Sequence, residues 1–302
     1  MNSLPPDSDQ KAQDVIAVAR GRLVSRFQAA PLAIVLFLFF GLPLAVVVAI
    51  GFCDFDLSGI IPDFTLTNFQ ELITSGTTYA LYARSIMYAG VVWLITVILG
   101  FTISYFLVFY VRNFLVALAL LLLCTIPFWT SAVIRTIAWI PFLGKNGLFN
   151  HLLIQMGLIN NPLEFLLFSN FAVIISYVHL FTLPMLVPIC NAMFQIDQEV
   201  IEAARDAGAN SVQVIAHVVI PLCKNGIVLG SILVVTFILG DFFTVRIMTG
   251  GKYASVVSAM SYEIGYMQYP PAAAAAVVLI IIVVLMVSLV TRMVDVQKSL
   301  VE

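Results

Sequence analysis

Residues 86–110 read IMYAGVVWLITVILGFTISYFLVFY, 25 positions without one Asp, Glu, Lys or Arg. As an α-helix such a run is about 37 Å long at 1.5 Å per residue, enough to cross a hydrocarbon core of about 30 Å. Its apolar residues are continuous rather than alternating, so it is not a membrane strand, and its backbone groups must be satisfied within a helix. Five further segments pass the same test. Pro31–Cys53, Phe114–Ile134 and Ala272–Val290 are also free of charge, Phe171–Cys190 carries His179, and Gly226–Val245 carries Asp241. The fold class expected is therefore all-α: a polytopic membrane protein with six transmembrane helices.

Composition agrees with that reading. Of 302 residues 62% are hydrophobic and 10% charged, whereas soluble domains carry about 25% charged residues because water-facing surface needs them. A net charge of −2 with no basic stripe gives no footing for a nucleic acid. The cysteines Cys53, Cys124, Cys190 and Cys223 are far apart, with no CxxC pair, so they suggest neither a zinc site nor a disulfide framework.

Three regions follow from this pattern. Residues 1–30 form a polar tail, 31–290 the six-helix membrane domain, and 291–302 a short second tail. The first apolar run is too long for a signal-peptide core and reads as an uncleaved span. Basic residues set the orientation. Lys11, Arg20, Arg22, Arg26, Arg112, Arg205, Lys224, Arg292 and Lys298 fall on one face, nine in all, against five on the other: Arg84, Arg135, Lys145, Arg246 and Lys252. The first face is expected to be cytoplasmic, with both termini inside. Three stretches then lie outside, 54–84, 135–170 and 246–271. The second should hold a short surface helix over Leu148–Leu158, set between turn signals. Pro43, Pro127, Pro184 and Pro188 fall inside spans and predict kinks or local irregularity. Ala272–Ala276 offers a small-residue face for close helix packing.

The cytoplasmic loop 191–224 is the most informative part of the chain. Asp197, Gln198 and Glu199 favour the positive end of a helix running through Ile201–Ala207, and Gly208 stands where a C-terminal stop belongs. Asn210 or Ser211 can cap a second helix over Val212–Val219, before Pro221. Within this loop Glu202-Ala203-Ala204, then Gly208, then Val218-Val219-Ile220-Pro221 resemble the "EAA…G…I-x-L-P" signature of bacterial ABC importer permeases, with Val218 and Ile220 as mild apolar exchanges. Pro127-Phe128-Trp129-Thr130 through Arg135, Gly240-Asp241-Phe242 and Tyr269-Pro270-Pro271-Ala272-Ala273 resemble the spermidine/putrescine-type subfamily.

The resemblance implies a type I importer permease fold in the bacterial inner membrane. It also implies the partners: a second, homologous permease forming a heterodimer, two ATP-binding subunits and a periplasmic solute-binding protein. The segment with Glu202, Ala203, Ala204, Gly208 and Pro221 would be the coupling helix seated on the ATPase. Residue chemistry fits: the alanines permit close approach, Gly208 permits an unobstructed turn, and Glu202 can meet a donor, or else pair with Arg205 at i,i+3. No G-x-x-x-x-G-K-[ST] loop is present, since Gly251-Lys252 is followed by Tyr253 and Gly144-Lys145 by Asn146. The chain is thus expected to bind no cofactor itself, with ATP and Mg acting through the ATPase, and not to be an enzyme.

For the solute path, ionisable groups in spans are candidates by default. Asp241 beside aromatics suits an ammonium group, or else pairs with Arg246 or Arg135 or caps a helix. His179 reads as a packing histidine, and Trp129 and Tyr177 face either the cavity or the interface. A polyamine is the leading solute, although Arg135 and Arg246 complicate it: Arg135 falls within the family-like segment and reads as structural, while Arg246, an extra cation near the outer mouth, would suit a solute bearing a carboxylate, such as an opine or amino-acid conjugate. The rival reading is an ion-coupled secondary carrier, which should show broken midplane helices and internal repeats; neither is evident.

Overall fold

The computed structural model describes residues 30–56, 59–111 and 113–292. Both tails but for their innermost residues, with Lys11, Arg20, Arg22, Arg26 and Lys298, and also Arg112, lie outside the described residues. Helix α1 (Ala30–Gly51) leads into a hairpin of β1 (Cys53–Asp56) antiparallel to β2 (Gly59–Phe64), then α2 (Thr67–Thr74) and α3 (Gly76–Phe109). Helix α4 (Phe114–Trp129) turns by 89° into a segment holding α5 (Ala132–Ile137), α6 (Trp139–Leu143) and α7 (Leu148–Gln155). Helix α8 (Asn170–Phe194) is followed by α9 (Gln198–Asp206) and α10 (Ser211–Leu222), which bends by 68° into α11 (Lys224–Gly240). The chain closes with α12 (Phe243–Thr249), α13 (Val256–Gly265) and α14 (Tyr269–Arg292). Four unbroken helices, α1, α3, α8 and α14, are long and apolar enough to span a membrane, and counting each bent pair as one span gives six.

Two expected spans need correction. The third stops at Trp129 and the fifth at Gly240, short of Ile134 and Val245. At the first break Thr130 is extended (ψ 150°) after a 3₁₀ turn over Ile126–Trp129 containing Pro127, and the Ser131 hydroxyl accepts from the Val133 N–H to start α5. At the second, Asp241 is extended (ψ 128°) and its carboxylate accepts from the Thr244 N–H. Short polar side chains that cap a new helix compete with continuing the old one. In the other direction α3 begins ten residues before Ile86. Arg84, which set the sequence boundary, stays in the helix because its guanidinium donates to the Ala254 carbonyl (3.3 Å) and lies over the Tyr253 ring.

Prolines act through π-turns rather than kinks at two places. A π-turn spans Phe37–Gly41 ahead of Pro43, and another spans Ile215–Val219 ahead of Pro221. In each the N–H of the residue just before the proline reaches back five residues, Leu42 to Phe37 and Ile220 to Ile215. The wider turn carries the chain past the position where proline has no N–H to give. Pro221 therefore sits within α10, and the change of direction comes at Cys223.

The core is built where α3, α8 and α11 meet. Tyr88, Val92, Tyr177, Met185, Ile189, Met193 and Val234 are all essentially inaccessible there. Glycines set the spacing: a Cβ on Gly226 would run into the Pro188 carbonyl oxygen and come 2.7 Å from the Ala192 Cβ, and one on Gly230 would come 2.8 Å from Met185 Sδ. Polar cross-links follow the same seam, with Trp93 Nε1 donating to Ser231 Oγ (2.8 Å) and Ser104 Oγ to the Leu186 carbonyl (3.2 Å). The alanine face behaves as its composition suggests: Ala272 to Ala275 are buried, and Gly51 of α1 lies against the Ala274 backbone.

The β-hairpin has no counterpart in the sequence reading. It is tied down by buried Asn68, whose Nδ2 donates to the carbonyls of Gly51 (3.2 Å) and Cys53 (2.8 Å), and by Phe52, stacked on Phe64 and tilted against Phe69. The expected surface helix is present as α7. Buried Asn150 fastens it, donating to the carbonyls of Gly144 and Leu163 and accepting from the Leu163 N–H (2.7 Å). Nearby, exposed Glu164 is held below the usual carboxylate range by the hydrogen bond and charge of Lys145, 2.5 Å away. A depressed carboxylate adds stability above its ordinary pKa and loses it as pH falls; at this exposure the gain is small.

Replacing Gly226 by Ala should destabilise the protein by about 1–3 kcal/mol, the usual range for overpacking. Gly90→Ala, where a Cβ meets nothing within 4 Å, should be neutral or slightly stabilising. Thermal unfolding of the two variants in one detergent checks both, and equal melting temperatures would contradict the packing described.

Candidate functional site

Helices α9 and α10 are built as a rigid elbow. Helix α9 ends in a Schellman motif: the Gly208 N–H donates to the Arg205 carbonyl (2.9 Å) and the Ala209 N–H to the Ala204 carbonyl (3.1 Å), with Gly208 at φ +87°. This satisfies the last free carbonyls and needs the left-handed conformation glycine adopts without penalty. Two residues on, Asn210 and Gln213 form a reciprocal capping box, at 2.9 Å and 2.8 Å, that starts α10. The sequence expectation of two short helices about a glycine turn is met.

The two faces of α9 divide by chemistry. Ile201 is 7% exposed and Ala204 packs against the core, beside Tyr105 and Phe109 at the end of α3. Ala203 and Gly208 are exposed, as is Glu202, which stands at the rim of the small cavity it shares with Ile201, Tyr105 and Phe109. The Glu202–Arg205 pair that their spacing allows is not made: among the described residues the one ion pair is Lys145–Glu164. Pro221 is exposed one turn after the π-turn. The carboxylate of Glu202 and the flat alanine beside it are therefore presented together, without an internal partner.

The second constellation forms where the two span breaks meet. Helices α5 and α12, each starting just after a break, come together at Thr136 and Thr244, whose hydroxyls are 3.4 Å apart. This brings Arg135 and Asp241 to the wall of one open cavity of about 380 Å³, with Phe128, Phe181 and Phe237 supplying its aromatic lining. Asp241 is held at one oxygen: Oδ1 accepts from the Tyr177 hydroxyl (3.2 Å) and the Thr244 N–H (2.8 Å). Arg135 lies over the Phe128 ring at 5.4 Å, and its Nε is buried with no hydrogen-bond partner. The same arginine borders two neighbouring cavities of about 400 and 280 Å³, both also lined by His179.

The candidate path residues separate on this geometry. Asp241 and Arg135 share a cavity. Tyr177 is fully buried and contributes only its hydroxyl, fixing Asp241 from behind. Trp129 is 88% exposed and lines none of these three cavities. Arg246 lies over the Tyr262 ring at 5.0 Å, away from them. His179 accepts at Nδ1 from Trp139 Nε1 (3.3 Å), the packing role expected of it, while also bordering the two neighbouring cavities. Asp241 takes the helix-capping alternative and forms no ion pair with either arginine. Sequence reading missed Phe128, Phe181 and Phe237 as lining residues, since aromatics are common throughout the spans. It also missed Gly226 and Gly230, although their four-residue spacing is a small-residue packing signal.

Comparison with known proteins bears on what these two features are. The family described as "Binding-protein-dependent transport system inner membrane component" matches residues 96–299. The chain is 30% identical over 247 residues to the spermidine/putrescine transport system permease protein PotB of Haemophilus influenzae, covering 79% of this chain and 84% of that one. It is 31% identical over 220 residues to the PotB protein of Escherichia coli, covering 72% and 78%. Among solved structures, a bacterial ABC transporter involved in the import of the acidic polysaccharide alginate superposes with a TM-score of 0.73, covering 93% of this chain and 98% of that chain. At 17% identity this last likeness shows the fold alone.

Asp241→Ala removes the acceptor of the Thr244 N–H and should cost about 1 kcal/mol, the usual value of a lost cap. Asp241→Asn keeps an acceptor and should stay near wild type. Melting curves that rank the two variants the other way would show that the carboxylate does not hold α12.

Proposed function

The chain belongs to the family of binding-protein-dependent transport system inner membrane components, as an ABC importer permease of the spermidine/putrescine type, and on that footing we propose how it works. It is a multi-pass inner membrane protein and a transport component rather than an enzyme. In this reading it forms one half of a translocation pathway, with a second, different permease as the other half. A periplasmic binding protein delivers the solute. Two ATPase subunits, binding ATP and Mg, dock on α9 and α10, which with both termini lie in the cytoplasm. The positive-inside count of nine against five basic residues supports that orientation.

The observation that carries the proposal is the division of α9. Ile201 and Ala204 are packed on the core and on the end of α3, while Ala203 is exposed and Glu202, exposed at the rim of the cavity beside Tyr105 and Phe109, has no hydrogen-bond or ion-pair partner of its own. A surface of small side chains around one free carboxylate suits insertion into a groove carrying a basic or amide donor. The Schellman turn and capping box make the elbow stiff, so a push on α9 moves α10 and, through the bend at Cys223, α11. Cavity-lining Phe237, Gly240 and Asp241 stand at the far end of α11. The broken spans that the sequence did not show are a feature an ion-coupled carrier would share, so the elbow, for which such a carrier has no evident use, is what separates the two readings.

The solute proposed is a small organic amine, polyamines being the class that the relatives' names supply. Asp241 and the rings of Phe181 and Phe237 in one cavity support this, because a carboxylate near aromatic faces attracts an ammonium group by charge and by cation–π contact.

Purification from mild detergent tests the coupling role. Wild-type protein should bring down an ATPase and a second permease. Glu202→Lys and Gly208→Trp should each lose the ATPase while keeping the second permease. Absence of an ATPase from the wild-type preparation would sink the importer reading and favour the carrier.

A further inference from the structure

The cavity at the span breaks holds two opposite charges that do not neutralise each other. Arg135 and Asp241 line the same cavity, yet no ion pair joins them, and among the described residues the one ion pair is elsewhere, at Lys145–Glu164. Asp241 is fixed by two hydrogen bonds from neutral donors, both to Oδ1, so its charge is positioned but not cancelled. Arg135 forms no ion pair, its Nε is buried without a partner, and its guanidinium lies over the face of Phe128. Three cavities converge on this one side chain, so its donors border open space on several sides.

A site meant for a polycation alone would not keep a free guanidinium in the same cavity. At short range in a poorly solvated space, like charges repel strongly, and an unpaired buried donor carries a desolvation cost that some acceptor must offset. Guanidinium is matched above all by carboxylate, which accepts two of its N–H groups side by side. With one cationic and one anionic pole across an aromatic-lined space, the solute that satisfies both is a zwitterion.

We infer that the transported solute carries a carboxylate as well as an amine, the carboxylate bound by Arg135 and the ammonium group by Asp241. The inference rests on the preceding reading that this cavity lies on the solute path, and it narrows the solute from simple polyamines to amines bearing an acid group. Arg246, the other arginine raised by the sequence, has no part in it, since it is occupied by Tyr262 outside the cavity. Arg135 is thereby a specificity-determining residue, discriminating a carboxyl-bearing amine from a diamine of the same length.

The test uses the complete transporter in nanodiscs, without the binding protein, so that the permease's own preference is read. Equilibrium dialysis with radiolabelled probes compares 4-aminobutanoate and 6-aminohexanoate with the matched diamines, 1,4-diaminobutane and 1,6-diaminohexane, and with butanoate. At least one of the two amino acids should bind roughly tenfold more tightly than its diamine and than butanoate, the effect of one charge-assisted contact made or lost. Arg135→Gln should remove that advantage and leave the diamine as the better ligand, while Asp241→Asn should weaken amino acid and diamine alike. Tighter diamine binding by wild type, unchanged selectivity in Arg135→Gln, or no saturable binding of any probe would each overturn the inference. Unchanged selectivity with loss of the second permease from Arg135→Gln would show instead that the guanidinium pairs across the permease interface. The ATPase retained in the wild-type preparation is scored separately, so a wrong solute class is distinguished from a wrong assignment as an importer.

Discussion

The close approach of α8 and α11 is the constraint on which the rest of the structure depends. In hydrocarbon there is no hydrophobic gain from pressing two helices together, so contact has to come from dispersion and from polar links. Gly226 lets α11 lie directly against the Pro188 carbonyl, and Gly230 seats it on Met185. Once α11 is placed, both of its ends are placed too. One end leaves the elbow of α9 and α10, and the other reaches the break at Asp241.

Much of this was legible in the sequence, and for identifiable reasons. Long uncharged runs declare spanning helices because lipid leaves the backbone few alternatives. Glycine at 208 and asparagine at 210 declare the elbow because positive φ and N-capping select those residue types. The parts that stayed illegible depended on local competition. Residues 130–134 and 241–245 are close in character to the spans they were joined to, and only capping by Ser131 and Asp241 ends the helices early. A boundary drawn at the last charge likewise truncated α3, because Arg84 is stabilised by a carbonyl and a ring that come from residues about 170 positions away. The hairpin is a further case, since its anchor, Asn68, satisfies carbonyls at Gly51 and Cys53 that no local pattern connects to it.

The prolines show why residue type alone does not predict geometry. Pro43 and Pro221 both come just after π-turns; the helix runs on beyond Pro43, whereas α10 ends one residue after Pro221, at its 68° bend. Pro127 lies in a 3₁₀ turn at the end of α4, and there the chain does turn sharply. The difference lies in the residues immediately beyond each proline. After Pro43 the next residues are all apolar, whereas after Pro127 come Thr130 and Ser131. The hydroxyl of Thr130 returns to the Pro127 carbonyl at 2.7 Å, and that of Ser131 caps α5. A proline weakens the ladder, and the neighbouring hydroxyls decide whether it stops.

These breaks are also the source of the site. A continuous third span would carry Arg135 on from Ile134 along the axis of α4, and a continuous fifth would leave Asp241 as one more intramembrane carboxylate on α11. Breaking both spans at the same level turns α5 and α12 across the molecule, where Thr136 and Thr244 hold them together. Arg135 and Asp241 then line one cavity, the kind of setting in which ionisable side chains of membrane proteins are tolerated. Because Asp241 terminates α11, the helix that begins beyond the elbow ends at the charge. If α9 is the coupling helix proposed above, a displacement that tilts α11 acts on Asp241 at its far end, and the Thr136–Thr244 contact is the link through which α5 and Arg135 feel it.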